Sequence, residues 1–480
     1  VHITSCTFSI QQIFNRIESN KWVNVFESML LLDNNQDLKK ATAYIVIGKY
    51  TKAIKILEKL IEANNKPDIV DVWYAQALSY NGELQKALEV IRMSKENLET
   101  TAKIREHLRL CILQGDYYTG LKLLEQATAK RFDVGEMLER KIYLGNRKIK
   151  EAFEAYTRIK IAKILQACYK NKYYLGNESD LKNKKFLLLN TFGPGDEIRF
   201  ASIYNLIRKN LQCPNISICC DARLYTLFCS SFPELNFIPT SRVRKGEKYE
   251  INKYDKLPNS ELCLVIDNNG VCAIDEADRI ALVSDMLPKC LENDQSFPGV
   301  PYLQANKDKV ALYQKELNKY KNKLVGISWR SSLTTYSRVE HYLTIQEIEP
   351  IFQINNIQFV NFQYDECEEE LKWVEERYPN KIINFAEIDQ YNDFDSVAAL
   401  MSCMDLIIAP ATTVVELAGA LGCNTWLLSN SSELYWRKIN REKTDIWHKN
   451  VTHVEGEILG NKASLVKELV KKLEEYSLIE

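Results

Sequence analysis

DLIIAPATTVVELAGALGCNTWLL, from Asp405 to Leu428, is the stretch that decides the fold of this chain. Its apolar runs at 406–409 and 425–428 predict two buried strands, and the amphipathic stretch 414–421 predicts a short helix between them. A strand, a helix and a second strand in this order form a βαβ unit, whose parallel strands are covered on both faces. The Pro-Ala-Thr-Thr turn therefore lies where the first strand ends and the helix begins.

Thr412 and Thr413 stand at the predicted N-terminus of this helix. Unpaired backbone N–H groups and the positive end of the helix dipole favour a phosphate at such a position, and the two hydroxyls add donors. Capping of the helix is the alternative, because Thr is a routine N-cap residue. Taken alone, the pair favours capping, and the rest of the chain raises the weight of phosphate binding.

Strands and helices alternate from Lys184 onward. A first parallel sheet is predicted from the runs KKFLLLNTF, NISICC, LNFIP and ELCLVID, and a second from KLVGISW, IQFVNFQ, IINF and the two strands described above. The pattern predicts two Rossmann-like α/β domains, over 173–305 and 306–480, with a final helix at 463–476 that crosses back over both. Ligands of such sheets bind at the carboxyl ends of the strands.

The first strand of the first sheet is followed at once by GPGDEIRFA. Gly193 and Gly195 allow the backbone to approach a ligand closely, and Asp196 lies in the first turn of the predicted helix. A carboxylate at that place can accept the proton of an attacking hydroxyl. An acid in a first helical turn also stabilises the helix dipole, and spacing alone favours this simpler role.

Strand ends of the second sheet supply more polar side chains for the same crevice. Trp329 and Arg330 follow one strand, and Gln363 and Tyr364 follow the next. Arg pairs bidentately with phosphate, Tyr364 can lie against a base or a sugar, and Gln363 can read polar edges. The simpler roles are an ion pair for Arg330 and core packing for Trp329.

Two further groups of residues carry weaker signals. Arg338 and His341 lie in the polar loop after KLVGISW, where a lone His beside an aromatic residue is more often structural than catalytic. Asp393 and Asp395 form a D-x-D pattern, which can hold a divalent metal. A predicted helix starts directly after them, so capping is favoured and no metal site is predicted.

A self-similar pattern occupies the first third of the chain. GKYTKAI starts at Gly48, GELQKAL at Gly82, GDYYTGL at Gly115 and a degenerate RKIKEAF at Arg147, at intervals of 34, 33 and 32 residues, after a weaker copy at Asn20. This is the spacing of tetratricopeptide repeats, in which two helices pair and a small residue at the fifth following position allows close packing. Ala53, Ala87, Gly120 and Ala152 hold that position.

An N-terminal TPR-like α-solenoid over 1–172 is therefore predicted. Such arrays present a concave groove that binds a protein, and the groove is predicted to favour acidic segments through Lys103, Arg105, Arg109 and Lys122. The alternative is a helical spacer or a dimerisation surface, so the sequence does not decide whether the chain forms an oligomer. No nucleic-acid partner is predicted.

Composition is that of a soluble globular protein of about three domains, with 46% hydrophobic and 26% charged residues in 480. Residues 1–180 hold 28 Lys and Arg against 22 Asp and Glu, whereas the remainder holds 35 against 42. The 13 cysteines show no CxxC pair, which indicates reduced thiols in the cytoplasm. No signal peptide or membrane span is predicted, and the missing initiator Met indicates a trimmed or partial chain.

From about Lys184 to Val454 the chain resembles bacterial GT-B glycosyltransferases related to heptosyltransferases and to tetratricopeptide-repeat O-GlcNAc transferases. The resemblance rests on the motifs GPGDEIRFA, DARLYTLFCSSFP, VGISWRSS with RVEHYL, FVNFQY, DFDSVAALMSCMDLIIAP, ATTVVELAGALG and YWRKINREKTDIWHKNV. It implies two Rossmann-like domains facing one another, with a nucleotide-sugar in the C-terminal domain and the acceptor hydroxyl near the N-terminal one.

The resemblance also assigns roles to individual residues. Asp196 matches the general base of heptosyltransferases, the pair Thr412 and Thr413 matches the diphosphate-binding turn, and Arg330 matches a strand-end position suited to the phosphate. Heptosyltransferases have Asp-Thr-Gly and a later His in the last motif, where this chain has Ala-Thr-Thr and Glu416. Such enzymes generally work without a bound metal, so no cofactor is expected besides the nucleotide-sugar co-substrate.

The hypothesis is a cytoplasmic, metal-independent glycosyltransferase that moves a sugar onto a Ser or Thr hydroxyl of a protein held by the repeats, with flagellin or another surface protein as the acceptor that the resemblance implies. The alternatives are a scaffold whose transferase part is inactive and an enzyme acting on lipopolysaccharide or a small glycan. Sequence leaves the sugar and the nucleotide open. Candidate donor-binding residues are Trp329, Arg330, Gln363, Tyr364, Thr412, Thr413 and Glu416, and candidate acceptor-side residues are Gly193, Gly195, Arg338 and His341.

Overall fold

The structure is a computed structural model that describes residues 35–63, 67, 69–93, 100–176, 181–243, 250–332, 342–429, 432–457 and 462–479. The repeat copy at Asn20 and the predicted acceptor-side residues Arg338 and His341 lie outside the described residues.

The N-terminal part is built from helices joined by short turns. Its helices are α1 (Gln36–Val46), α2 (Tyr50–Glu62), α3 (Ile69–Tyr80), α4 (Leu84–Met93), α5 (Thr101–Gln114), α6 (Tyr117–Ala129), α7 (Glu136–Gly145), α8 (Ile149–Glu154) and α9 (Lys160–Cys168). Successive helices pack as the pairs α1–α2, α3–α4, α5–α6 and α7–α8, and each pair also contacts the next. The residues at the predicted close-packing positions, Ala53, Ala87, Gly120 and Ala152, are all buried.

The four repeat copies share one backbone conformation at their first residue. Gly48, Gly82 and Gly115 have φ values of 73°, 86° and 77°, in the left-handed region that favours glycine. Arg147 has φ 58° at the same position of the fourth copy. The sequence period thus corresponds to a repeated helical hairpin, while the assignment of these hairpins to the tetratricopeptide class stays a prediction.

Two parallel sheets follow the helical part. The first has the order β3-β2-β1-β4, with β1 (Phe186–Leu189), β2 (Ile216–Asp221), β3 (Asn236–Thr240) and β4 (Arg279–Leu282). The second has the order β10-β9-β8-β5-β6-β7, with β5 (Lys323–Ile327), β6 (Ile357–Asn361), β7 (Ile382–Ile383), β8 (Leu406–Pro410), β9 (Thr425–Ser429) and β10 (Val451–Glu455). All residues of the central strands β1 and β8 are buried, as expected for strands covered on both faces.

Helices cover both sheets. They are α10 (Pro194–Ala201), α11 (Tyr204–Leu211), α12 (Tyr225–Ser231), α13 (Asn268–Glu276), α14 (Val283–Cys290), α15 (Lys307–Leu317), α16 (Glu368–Arg377), α17 (Phe394–Met401), α18 (Thr413–Leu421) and α19 (Lys462–Ser477). Every helix in the described part of the chain is too short or too polar to cross a bilayer.

One hydrophobic core joins the three parts of the chain. It contains apolar side chains of α8 and α9, both faces of the first sheet and one face of the second. The other face of the second sheet has its own core, which includes Leu465, Leu469 and Leu473 of α19. The last helix thus packs on the second sheet. The sequence predicted that it would cross back over both domains.

The structure differs from the sequence prediction at three other elements. ELCLVID was predicted as a strand, but Ser260–Leu264 forms a 3-10 turn whose Leu262 is buried. The fourth strand of the first sheet is Arg279–Leu282, and the outer strand of the second is Val451–Glu455. The single helix predicted after GPGD is two helices, because the chain turns between Ala201 and Tyr204.

Candidate active site

The two sheets meet through the N-termini of α10 and α18. Helix α10 starts at Pro194 after β1, and α18 starts at Thr413 after β8. A Cβ atom at Gly195 would lie 3.0 Å from Oγ1 of Thr413 and 3.2 Å from its Cα. A side chain at Gly195 would thus be crowded by the backbone and hydroxyl of Thr413, and the two motifs singled out in the sequence lie together.

Thr412 holds the N-cap position of α18 without capping it. Its backbone is extended, with φ −129° and ψ 179°, and its side chain accepts no hydrogen bond from the first turn. The residue is 8% exposed, and its hydroxyl has no hydrogen-bond partner among the described residues. Buried polar groups almost always have a partner. Thr412 is thus covered instead of lining an open cleft, whereas Thr413 is half-buried.

Asp196 and Glu416 are linked across the junction by Arg199. The Arg199 guanidinium forms an ion pair with Asp196, one turn away on α10, and lies 3.4 Å from Oε1 of Glu416 on α18. The side chain of Asp196 is 39% exposed, so its carboxylate is open to an incoming group. A cation from one domain therefore orients the candidate base and contacts the other domain.

Glu416 is the centre of a buried charge network. Its carboxylate is 2.8 Å from Nη1 of Arg437 and 3.1 Å from Nε2 of His448. Arg437 also pairs with Asp445 at 2.7 Å, and both of these residues are buried. Burial by itself raises the pKa of Glu416, but the two neighbouring guanidinium groups and the His448 ring outweigh burial and hold this pKa at about 2.

The low pKa of Glu416 predicts a loss of stability in acid. Because this pKa lies at about 2 in the folded chain against an ordinary 4.5, the stabilisation is complete above pH 4.5 and is lost as the pH falls through 2. The shift corresponds to about 3 kcal/mol. We expect the free energy of unfolding, measured in urea near neutral pH, to be higher for wild type than for Glu416→Gln by about this amount. The difference is expected to shrink in acid. A difference that is independent of pH would contradict the ion pairing.

A second buried network lies at the strand ends of the first sheet. Glu197 pairs with Arg242 and accepts a hydrogen bond from the backbone N–H of Asp221 at 3.0 Å. Burial raises the pKa of Glu197 to about 7 against the opposing effect of Arg242. Arg223 pairs with Asp221 at 2.9 Å and donates to the carbonyl of Tyr391 at 3.0 Å, which is a second bridge between the domains.

The predicted residues at the ends of β5 and β6 hydrogen-bond with one another. The Gln363 carboxamide oxygen accepts hydrogen bonds from the backbone N–H groups of Trp329 and Arg330, at 2.9 and 3.1 Å. Arg330 pairs with Asp365 at 3.0 Å and with Glu370 at 2.5 Å. Two carboxylates already compensate its charge, so a role of Arg330 on phosphate stays a prediction.

The aromatic residues of this group differ in exposure. Trp329 is fully buried and donates from its ring N–H to Glu370 at 3.2 Å. This agrees with core packing, the simpler of the two roles considered for Trp329 from the sequence. Tyr364 is half-buried, and its hydroxyl donates to Oγ of Ser331 at 3.1 Å. Its ring lies 6.3 Å from that of Tyr391. Of these two predicted donor-binding rings, Tyr364 is the one with exposed surface, and its contact with a base or a sugar stays a prediction.

The two D-x-D carboxylates have structural roles, one in a helix cap and one in an ion pair. Asp393 is the N-cap of α17 and accepts a hydrogen bond from the Ser396 backbone N–H at 3.0 Å. Asp395 pairs with Lys309 at 2.9 Å. Among the described residues no group of three His, Cys, Asp or Glu side chains is placed to hold a metal ion.

Several charged residues at the junction were missed in the sequence. They are Glu197, Arg199, Arg223, Arg242, Arg437, Asp445 and His448. A signal was present for Arg199 and Glu416, because each interrupts an apolar helical stretch, EIRFA and VVELAGA. A charge on a buried helix face requires an opposite charge, although the sequence does not identify which residue supplies it.

No protein-family model matches the chain. It is similar to Protein FlbA of Caulobacter vibrioides, with 28% identity over 266 residues that cover 55% of this chain and 42% of that protein. The chain thus spans less than half the length of the curated relative it matches.

Solved structures with a similar arrangement include glycosyltransferases. They include a family 9 glycosyl transferase from Veillonella parvula (13% identity, 62% of this chain and 98% of that one, TM-score 0.44) and the E. coli ADP-heptose lps heptosyltransferase II (14%, 61% and 98%, TM-score 0.41). An O-GlcNAc transferase from Thermobaculum terrenum matches 94% of this chain and 90% of its own at 8% identity, with a TM-score of 0.27. At TM-scores below 0.5 these likenesses do not by themselves establish a function.

Proposed function

We propose that the chain is a glycosyltransferase that moves a sugar from a nucleotide-sugar to a hydroxyl at the junction of α10 and α18. One observation carries the proposal: the buried hydroxyl of Thr412 has no partner among the described residues, and it stands at the N-terminus of α18, where the next residue, Thr413, packs against Gly195 of the other domain. A buried hydroxyl without a hydrogen-bond partner destabilises the fold, and a bound ligand with a hydrogen-bond acceptor would supply that partner.

The geometry supports an anion as the bound group. The first turn of a helix offers backbone N–H groups without an intrahelical partner, and the N-termini of α10 and α18 lie against each other at Gly195 and Thr413. A nucleoside diphosphate bears negative charge that such an arrangement stabilises. The half-buried hydroxyl of the next residue, Thr413, can add a donor.

Asp196 is the proposed general base. Its partly exposed carboxylate would take the proton of the acceptor hydroxyl while the oxygen attacks the anomeric carbon. The bond between that carbon and the phosphate oxygen breaks, and the nucleoside diphosphate leaves with the electron pair. Arg199 holds the Asp196 carboxylate toward the junction, and the two helix N-termini stabilise the charge on the leaving group.

We propose that this stabilisation needs no divalent metal. The carboxylates of the D-x-D pattern are engaged elsewhere, Asp393 in the cap of α17 and Asp395 with Lys309. Positive charge at the leaving group would instead come from the helix ends.

The proposed acceptor is a protein bound by the helical part. The positive balance of residues 1–180 and the stacked helical hairpins support a groove for an acidic segment. Flagellin or another surface protein is the acceptor that the sequence resemblance suggests, and the cytoplasm is the proposed location.

Two observations favour the scaffold alternative. Gly195 and Thr413 are in direct contact, and Arg330 is already neutralised by Asp365 and Glu370. A site of this kind has to open before it binds a nucleotide. The two functions therefore differ in whether a nucleotide stabilises the chain.

A thermal-shift screen with UDP, GDP, ADP and CMP tests the proposal. We expect one nucleotide to raise the melting temperature, since a ligand at a hundredfold excess over Kd stabilises by about 2.7 kcal/mol. Thr412→Val is expected to keep or raise the melting temperature of the free chain, because it removes an unpartnered hydroxyl, and to lose the response to nucleotide.

Thr425→Val is the matched control. Its buried hydroxyl donates to the Cys423 carbonyl at 2.8 Å, so the substitution is expected to lower stability by about 1 kcal/mol and to leave the nucleotide response unchanged. A flat response of wild type to all four nucleotides would reject the enzyme in favour of the scaffold.

A further inference from the structure

Arg147 occupies a backbone conformation that the equivalent residues of the other three repeat copies leave to glycine. Its φ of 58° places a side chain in the left-handed region, which is unfavourable for a residue other than glycine. The left-handed residue closes the C-terminus of α7, where its backbone N–H donates to the Leu144 carbonyl at 3.0 Å. Glycine would serve this turn equally well, so what distinguishes the fourth copy is the set of contacts that the Arg147 side chain makes.

The Arg147 side chain leaves the helical part and contacts the C-terminal domain. Its guanidinium donates to the backbone carbonyls of Trp436 and Lys438 and lies 3.4 Å from the Asp294 carboxylate. The two carbonyls flank Arg437. A planar guanidinium with several donors can hold two acceptors at once, which glycine cannot do.

The other end of the same segment is also held by the helical part. The hydroxyl of Tyr117, on α6, donates to the Ser432 carbonyl at 2.6 Å, and Oγ of Ser432 donates to the Leu113 carbonyl at 2.6 Å. The segment 432–438 is thus fixed at both ends by the third and fourth helical hairpins.

This segment leads to the proposed nucleotide site through Arg437. The Arg437 guanidinium is 2.8 Å from Glu416, which lies in the first turn of α18 after Thr412 and Thr413. We infer that Arg147 is a positioning residue for this site: by holding the segment 432–438 it fixes Arg437, and through Glu416 it fixes the N-terminus of α18. The helical part then completes the nucleotide site in addition to any partner it binds.

Arg147→Gly tests the inference, which rests on the proposed function, and Arg131→Gly is its matched control. Arg131 also has φ 58° and is exposed at the end of α6. Both changes relieve the same backbone conformation, but only Arg147→Gly removes the contacts with 436 and 438. We expect Arg147→Gly to weaken the binding of the nucleotide found in the screen by roughly threefold to thirtyfold, and Arg131→Gly to leave it unchanged.

A second readout does not depend on the nucleotide. The backbone N–H of Ile446 donates to the Arg437 carbonyl at 2.6 Å. Without ligand, its hydrogen exchange is expected to become faster in Arg147→Gly than in wild type and to stay at the wild-type rate in Arg131→Gly. Tyr117→Phe, which leaves the backbone at 147 untouched, is expected to accelerate the same amide.

The outcomes separate the inference from the proposed function. If wild type binds no nucleotide but the Ile446 amide exchanges faster in Arg147→Gly than in wild type, Arg147 positions the segment 432–438 and the proposed nucleotide site is rejected. Wild-type exchange and wild-type binding in both Arg147→Gly and Tyr117→Phe would overturn the inference. Equal effects of Arg147→Gly and Arg131→Gly would also overturn it, because they would reflect backbone conformation alone.

Discussion

Arg437→Met is expected to lower the free energy of unfolding by about 3–5 kcal/mol, the usual cost of removing one partner from a buried ion pair. Arg437 is 1% exposed and contacts two carboxylates, Glu416 at 2.8 Å and Asp445 at 2.7 Å. Methionine fills much of the same volume without charge, so packing is largely retained. The loss arises because the two carboxylates remain buried with too little positive charge.

The measurement is urea unfolding near neutral pH, with Arg208→Met as the control. Arg208 pairs with Glu234 on the surface, where its side chain is 41% exposed, so its replacement is expected to change stability by less than about 1 kcal/mol. Adding Glu416→Gln to Arg437→Met is expected to recover part of the loss, because one uncompensated charge disappears. Equal effects at 437 and 208 would show that the buried network contributes nothing beyond a surface pair.

Elements with strong local patterns were predictable. The runs in β1, β5, β6, β8 and β9 are mainly apolar because their strands are covered on both faces, and each was predicted within three residues of its observed bounds. The hairpin period was predictable because glycine at a left-handed turn recurs at Gly48, Gly82 and Gly115.

Elements whose conformation is decided by tertiary packing were not predictable from the sequence. ELCLVID has the composition of a buried strand, yet part of it forms a 3-10 turn that places Leu262 in the core. The strand Arg279–Leu282 is only four residues long and runs directly into α14, so its apolar residues carry no signal separate from that of the helix. Short elements of this kind lack a period that distinguishes strand from helix.

The candidate site divides in the same way. The meeting of the Gly195 and Thr413 motifs was predictable, because both follow strands whose carboxyl ends bind ligands in such sheets. The partners of Glu416 were not, because Arg199 lies 217 residues away in sequence and no spacing rule connects them. The position of Arg330 at a strand end was predictable and suits a phosphate. Its pairing with Asp365 and Glu370 was not predictable, because it depends on the neighbouring loop.

Asp196→Asn is expected to abolish sugar transfer while leaving the nucleotide response intact. Asparagine keeps the size of the side chain but cannot take the proton of the acceptor hydroxyl, and loss of a general base lowers rates by about 10²–10⁴. Nucleotide binding is expected to persist because the proposed anion contacts belong to the backbone N–H groups of α10 and α18 and to Thr412, not to the Asp196 carboxylate. Transfer would be followed with the sugar donor of the nucleotide found in the screen.

Asp393→Asn is the matched control for this change. Asn replaces Asp well at an N-cap, so the cap of α17 is retained while one carboxylate of the D-x-D pattern is removed. Transfer is expected at the wild-type rate in Asp393→Asn, since neither the base nor the leaving-group contacts change. Wild-type transfer in Asp196→Asn would instead remove Asp196 from the mechanism, and a loss confined to Asp393→Asn would move the chemistry from the α10–α18 junction to the D-x-D pattern.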